Sequence, residues 1–270
     1  MKNPIAKNKP VGAILLTVAL FGFAVFVYRL IFYVYEYDAQ YYPVDYGRFQ
    51  FLFFFTVQSN FFAYVYFLFA GLAALGVKKA ERIGFHPGVG TLATLYVVVA
   101  GAVYCGGLPF GFAPPFTWDT PYHRMTVVIQ IFYHMVMPVA ALLLYCFPFR
   151  NERLGKRTVL LSGIYPVAYS LFSLVRGRFT VPPYYPYPFY DPEFVWRTLM
   201  KDRPVNLFGA YAIIALCIAV VGCGLFMALC AMLVWIHNKR VKQQSTDEPA
   251  GETIALAAES KNTAEIDGKE

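Results

Sequence analysis

The stretch FGAYAIIALCIAVVGCGLFMALCAMLVWI, from Phe208 to Ile236, runs without one charged side chain. A hydrocarbon core about 30 Å thick is crossed by roughly 20 apolar residues in a helix. Within lipid the helix satisfies every backbone polar group internally, which few structures can do. The stretch therefore predicts a membrane-spanning helix. Five further runs pass the same test: Val11–Val34, Phe51–Val77, Thr91–Leu108, Met125–Phe147 and Thr158–Leu174. The third is the weakest helix former, because Gly101, Gly106 and Gly107 fall within it. The expected fold is all-α: an integral membrane bundle of six transmembrane helices over residues 1–242.

Composition agrees with this expectation. Only 14% of the 270 residues are charged and 58% are hydrophobic, whereas soluble domains carry about 25% charged residues. A soluble fold and a disordered chain are both excluded. Up to Ile236 there are 18 Lys/Arg against 9 Asp/Glu, and the remaining tail holds 5 against 7. Basic residues flanking apolar runs indicate a membrane protein, not a nucleic-acid binder, which would need a basic stripe on a polar face. The first run is too long for a signal-peptide core and lacks a small-residue cleavage site, so it reads as a retained span. Five cysteines (Cys105, Cys146, Cys217, Cys223 and Cys230) lie in or beside apolar runs with no CxxC pair. They read as small apolar fillers of helix interfaces.

Loop charge predicts orientation. Lys2, Lys7 and Lys9 precede the first span; Lys78, Lys79 and Arg82 follow the second. Arg150, Arg153, Lys156 and Arg157 follow the fourth, and Lys239, Arg240 and Lys242 the sixth. The first loop instead carries Glu36, Asp38 and Asp45 against Arg48, and the third Asp119 with His123 and Arg124. Basic excess alternates loop by loop, as a multi-pass cell-membrane protein with both termini cytoplasmic requires. Residues 243–270 turn polar and poor in aromatics, and predict a disordered cytoplasmic tail.

The fifth loop, Arg176 to Asn206, contains VPPYYPYPFYD at 181–191. Its prolines predict an extended segment with tyrosines at the outer headgroup level. That segment is either an interfacial belt or a lid over an outward-facing pocket, with Tyr185 and Tyr187 its candidate residues.

Ionisable groups inside a span are costly and mark function by default. No Asp or Glu lies well inside the six runs, which disfavours an ion-coupled transporter, and no internal repeat suggests inverted halves. Arg29, near the end of the first span, reads as a snorkelling side chain. His134 lies deep in the fourth span, with Gln130 and Pro138 four residues to either side on the expected helix face. Pro138 removes a backbone bond to the His134 carbonyl. A single buried histidine is often only a hydrogen-bonded core residue. No second mid-span histidine exists for a haem, and no metal or cofactor is expected. Thr56, Ser59, Asn60 and Tyr64 form a polar stripe on the second span; Ser162, Tyr165, Tyr169, Ser173 and Arg176 form another on the fifth. Such stripes glue helices together or line an internal pocket.

Three segments in order resemble a known pattern: FFTVQSN at 54–60, HMVMP at 134–138, and Tyr165-Pro166 with Arg176-Gly177 and YPYPF at 185–189. With six spans they resemble the bacterial Pr-six-Pr membrane-protein family, related to the animal androgen-induced-gene (FAR-seventeen-a-like) proteins. The resemblance covers residues 11–236. It implies an intramembrane hydrolase of lipid or fatty-acyl esters with Thr56 as nucleophile and His134 as its histidine. In that setting a neutral buried imidazole can take the hydroxyl proton. Asn60, Gln130 and Ser59 are then the candidate oxyanion or pocket-polar groups, and Tyr165, Tyr169 and Arg176 join the loop tyrosines around the pocket. The expected partners are membrane lipids and a fatty-acyl substrate, not nucleic acid. A non-catalytic lipid-binding or assembly protein is the competing reading.

Overall fold

A computed structural model describes residues 8–33, 48–107, 118–145, 152–180, 183–201 and 203–247. The acidic first loop, Cys146 and the tail beyond Asp247 lie outside the described residues. Six helical spans are long and apolar enough to cross a membrane. They are α1 (Lys9–Phe32), α2 (Phe55–Ala74), α4 (Pro87–Gly107), the fourth span Pro121–Tyr145, α7 (Lys156–Phe179) and a sixth that begins at Leu207. The fourth is α5 (Pro121–Ile131), a π-helical turn Phe132–Val136, and α6 (Met137–Tyr145). The sixth is α9 (Leu207–Cys217), a second π-helical turn Ile218–Cys223, and α10 (Gly224–Asp247). A short helix α3 (Lys78–Gly84) and an amphipathic helix α8 (Pro192–Met200) join spans.

Side-chain caps fix four of the helix starts. Asn8, Thr120, Asp191 and Asn206 each accept a bond from a first-turn N–H of α1, α5, α8 and α9. This satisfies donors that a helix cannot pair internally. Proline stands in the first turn of α1, α5 and α8, where no N–H is needed.

α1 lies along α2, which also packs on α4; α4 in turn meets the fourth span, α7 and α10, and α7 pairs with α10. Small residues set the closest approach. A Cβ on Gly71 would sit 3.0 Å from the Gly12 carbonyl oxygen, and one on Gly12 would sit 3.1 Å from that of Gly71. These glycines let the α1 and α2 backbones meet. One aromatic core fills the space between α1, α2 and the fourth span, and a second lies between α4, α7 and the sixth.

Three features differ from the expectations above. The second span begins at Phe55, not Phe51, because Arg48–Phe53 is a 3-10 turn and Phe54 is extended. A tertiary contact fixes that start: the Tyr169 hydroxyl accepts from Phe55 N (3.1 Å) and donates to Phe53 O (2.8 Å). Thr56 therefore sits in the first turn of α2. Arg29 does not snorkel; it is 4% exposed, beneath the rings of Tyr33, Phe51 and Tyr133 at 5.2, 5.5 and 5.8 Å. Cation–π attraction replaces the headgroup contact there. Finally, the proline-rich loop is extended only in part. Pro188–Tyr190 forms a 3-10 turn and leads through Asp191 into α8, whose Trp196 rests on Gly209.

Candidate active site

The π-helical turn of the fourth span has an identifiable cause. Pro138 has no N–H to offer the His134 carbonyl, and its ring crowds that oxygen. The ladder steps out instead: Met137 N–H bonds to Phe132 O, five residues back. The freed His134 carbonyl faces α4, where Cys105 Sγ approaches it at 3.9 Å. Only a glycine fits opposite. A Cβ on Gly101 would lie 2.6 Å from His134 O and 2.6 Å from Pro138 Cγ.

The same turn aims the His134 ring. Nδ1 lies 3.0 Å from the main-chain carbonyl oxygen of Gln130, and Nε2 lies 3.2 Å from Thr56 Oγ1 on α2. The Tyr104 ring of α4 stacks on the imidazole, with centroids 3.7 Å apart and planes 13° from parallel. Thr56 and His134 are 8% and 7% exposed.

Both side chains lie on the wall of a cavity of about 510 Å³. Most of that wall is apolar, supplied by α4, α7, α8 and the sixth span, with the Tyr187–Tyr190 segment across it. Val103, Leu199, Cys217 and Leu225 line the cavity and are also exposed on the bundle surface. They mark where it reaches the exterior, beside the second π-helical turn.

The sequence-predicted residues divide into two groups. Thr56, His134, Tyr169 and Tyr187 meet at the cavity wall. Tyr165 stands behind that wall, stacked on Phe55 and bonded to Gln58 Oε1 at 2.7 Å. Ser59 Oγ donates to Thr56 O at 3.1 Å. Asn60 Nδ2 donates to Thr56 O (2.9 Å) and Tyr133 O (3.4 Å). The Asn60 amide hydrogens are thus committed to main-chain carbonyls inside the helix packing. Gln130 is buried and meets His134 through its main-chain carbonyl. Arg176 lies over the Phe53 ring at 3.8 Å and bonds Gln50 Oε1, away from the cavity. Tyr185 bonds the Tyr211 hydroxyl at 3.1 Å and packs on Gly177.

No family model matches the sequence, and neither a curated protein nor a solved structure matches it.

The hydrogen bonds assign the tautomer of His134. A carbonyl oxygen only accepts, so Nδ1 carries the proton and donates to Gln130 O. In the neutral ring Nε2 is then the lone-pair nitrogen, and the Thr56 hydroxyl donates to it. A hydroxyl pointing its proton at an oriented imidazole is the geometry general-base activation requires. Among the described residues no group of three or more metal-ligating side chains occurs.

Two loop tyrosines bring protonated phenols to the cavity. Burial pushes the Tyr190 hydroxyl up to about 12, against its hydrogen bond to Ser170 Oγ, which lowers it; the Ser170 proton goes to Pro166 O. Burial also raises Tyr187 above the usual tyrosine value, opposed by the Thr56 N–H that donates to its oxygen. Both are donors at neutral pH.

Sequence reading missed Tyr104, Gly101 and Ser170. Tyr104 is one of 21 tyrosines, and no pattern separated it from lipid-facing aromatics. The signal for Gly101 was present, in a glycine one helical turn from Tyr104 and Cys105, but read alone it only lowers helix propensity.

Proposed function

We propose that this chain is an integral membrane hydrolase of lipid or fatty-acyl esters, with Thr56 as nucleophile and His134 as general base. The observation that carries the reading is the 3.2 Å contact from Thr56 Oγ1 to a His134 ring whose Nδ1 is held by the Gln130 carbonyl. The adjoining apolar cavity suits an acyl chain whose ester carbonyl stops at the hydroxyl. The resemblance of the three motifs to the Pr-six-Pr and androgen-induced-gene families supports the same assignment of roles. Loop charge supports a cell-membrane location with both termini cytoplasmic, which puts the Tyr187–Tyr190 segment on the outer side.

In this mechanism the Thr56 oxygen attacks the ester carbonyl carbon while its proton passes to His134 Nε2. The tetrahedral intermediate collapses, and the departing alcohol takes that proton. Water then attacks the acyl-threonine as His134 accepts its proton, and His134 returns that proton to Thr56 Oγ1 as the fatty acid leaves.

A fluorophosphonate probe on purified protein tests the reading. Thr56 is expected to be labelled, Thr56→Ala and His134→Ala to abolish labelling and ester hydrolysis while remaining folded, and Thr56→Ser to retain both. Labelling that survives in Thr56→Ala would overturn the assignment. The predominantly apolar cavity wall favours one second reading, a lipid-binding protein without catalysis; it predicts retention of lipid on purification and no probe labelling.

A further inference from the structure

We propose that Tyr187 is a catalytic residue of this site, its hydroxyl donating a hydrogen bond to the substrate carbonyl oxygen as that oxygen becomes an oxyanion. The inference rests on the Thr56/His134 reading and adds to it the group that receives the developing negative charge.

The first ground is position. Tyr187 comes from the proline-rich loop, 131 residues from Thr56 in sequence, yet its hydroxyl oxygen lies 3.5 Å from Thr56 N. The ring is held between neighbours, stacked on Phe189 with planes 5° from parallel at 5.1 Å, and edge-on to Phe54 at 5.8 Å. Pro186 and Pro188 restrict the backbone on both sides. A phenol fixed in this way loses little freedom when it binds a reacting group.

The second ground is the destination of each proton. The Tyr187 hydroxyl oxygen accepts from the Thr56 N–H. The Tyr169 proton goes to Phe53 O, and the Thr56 proton faces His134 Nε2. Neither neighbouring hydroxyl donates to Tyr187, whose own O–H stands on the cavity wall beside Thr56. When Thr56 attacks, its oxygen shares a lone pair with the carbonyl carbon. The carbonyl π electrons move onto the adjacent oxygen. The Tyr187 O–H donates to that oxygen as it becomes charged, without giving up its proton.

The third ground is spacing. Effective oxyanion donors stand 2.7–3.1 Å from the charged oxygen. An oxygen at that distance from both Tyr187 Oη and Thr56 N forms an allowed triangle over their 3.5 Å separation. The Thr56 N–H, in the first turn of α2, is then a second donor in line with the helix dipole. The side chains of Asn60 and Gln130, the candidates from sequence, are not on the cavity wall.

The test compares wild type with Tyr187→Phe, which keeps the ring, its stacking and the loop and removes one O–H. Substrates are p-nitrophenyl decanoate and its thiono analogue, whose larger, softer sulfur accepts hydrogen bonds poorly. Wild type is expected to prefer the oxo-ester strongly. Tyr187→Phe is expected to lose roughly 10²–10³-fold in kcat on the oxo-ester, with little change in KM, and much less on the thiono-ester. A structural role would depress both substrates equally, and that result overturns the proposal. So does a Tyr187→Phe enzyme with wild-type kcat. If wild type hydrolyses neither ester and Thr56 takes no probe, the hydrolase reading itself fails and this proposal with it; an active, Thr56-dependent wild type separates the two outcomes.

Discussion

Replacing Gly101 by alanine isolates how closely α4 must approach the fourth span for the proposed dyad to stay aligned. The added Cβ would sit 2.6 Å from both His134 O and Pro138 Cγ, whereas ordinary contact begins at 3.4 Å, so roughly 0.8 Å must be found. Neither neighbour yields easily: one is backbone within the π-helical turn, the other a proline ring. The displacement therefore falls on the turn that carries the imidazole, or on Tyr104 three residues along α4. A misplacement near 1 Å can cost about 10²-fold in rate, while overpacking a core costs about 1–3 kcal/mol. Gly101→Ala is thus expected to fold, to melt at a lower temperature, and to lose about 10²-fold in both fluorophosphonate labelling rate and ester hydrolysis. Gly106→Ala is the control, because a Cβ there meets nothing within 4 Å. It is expected to be neutral or slightly stabilising. Gly101→Ala with wild-type labelling and melting would show that the α4 contact does not position His134.

Two further predictions concern access and orientation. Cys217 lies on the cavity wall and on the bundle surface, so Cys217→Trp should narrow the opening and cut kcat/KM about tenfold or more for a long-chain ester while sparing a short-chain one; equal effects on both chain lengths would count against this route. In the proposed orientation, with both termini cytoplasmic, a cysteine introduced at Lys201 should react with an impermeant thiol reagent in intact cells and one at Lys78 should not, and the opposite pattern would invert the topology.

The six spans were legible because the solvent demands them: a hydrocarbon layer accepts only long apolar helices there, and their lengths can be counted from residues. Elements at the bundle ends were not legible. α3 and α8 have 7 and 9 residues, too few for periodicity to separate them from charged or proline-rich loop. The start of α2 was hidden for another reason. FLFFF at 51–55 is uniformly apolar, so nothing local marks the change from 3-10 turn to helix. Tyr169, more than a hundred residues away, marks it by bonding to Phe53 and Phe55. At the candidate site the polar residue types were visible, and so was the proline that disturbs the fourth span. Which atoms they would use was not. Gln130 and Asn60 stood out for their amides, but the structure uses a carbonyl of the first and commits the amide hydrogens of the second to helix packing.

The missing carboxylate makes physical sense in the proposed mechanism. A third member of a Ser-His-Asp arrangement has two jobs, to fix the imidazole tautomer and to stabilise the imidazolium that forms. An ionised aspartate in the hydrocarbon layer would cost several kilocalories per mole of insertion free energy before performing either. The Gln130 carbonyl is already part of the backbone, carries no net charge, and does the first job by accepting the Nδ1 proton. It does the second less well, since a dipole stabilises a cation less than an anion does. The face of Tyr104, stacked 3.7 Å from the ring, is electron-rich and becomes more attractive as the imidazole charges. Tyr104→Leu should therefore slow acylation of Thr56 more than it weakens substrate binding, lowering kcat with KM little changed. Tyr104→Phe, which keeps the aromatic face, should stay near wild type, and a loss shared equally by both substitutions would remove the cation–π contribution from the mechanism.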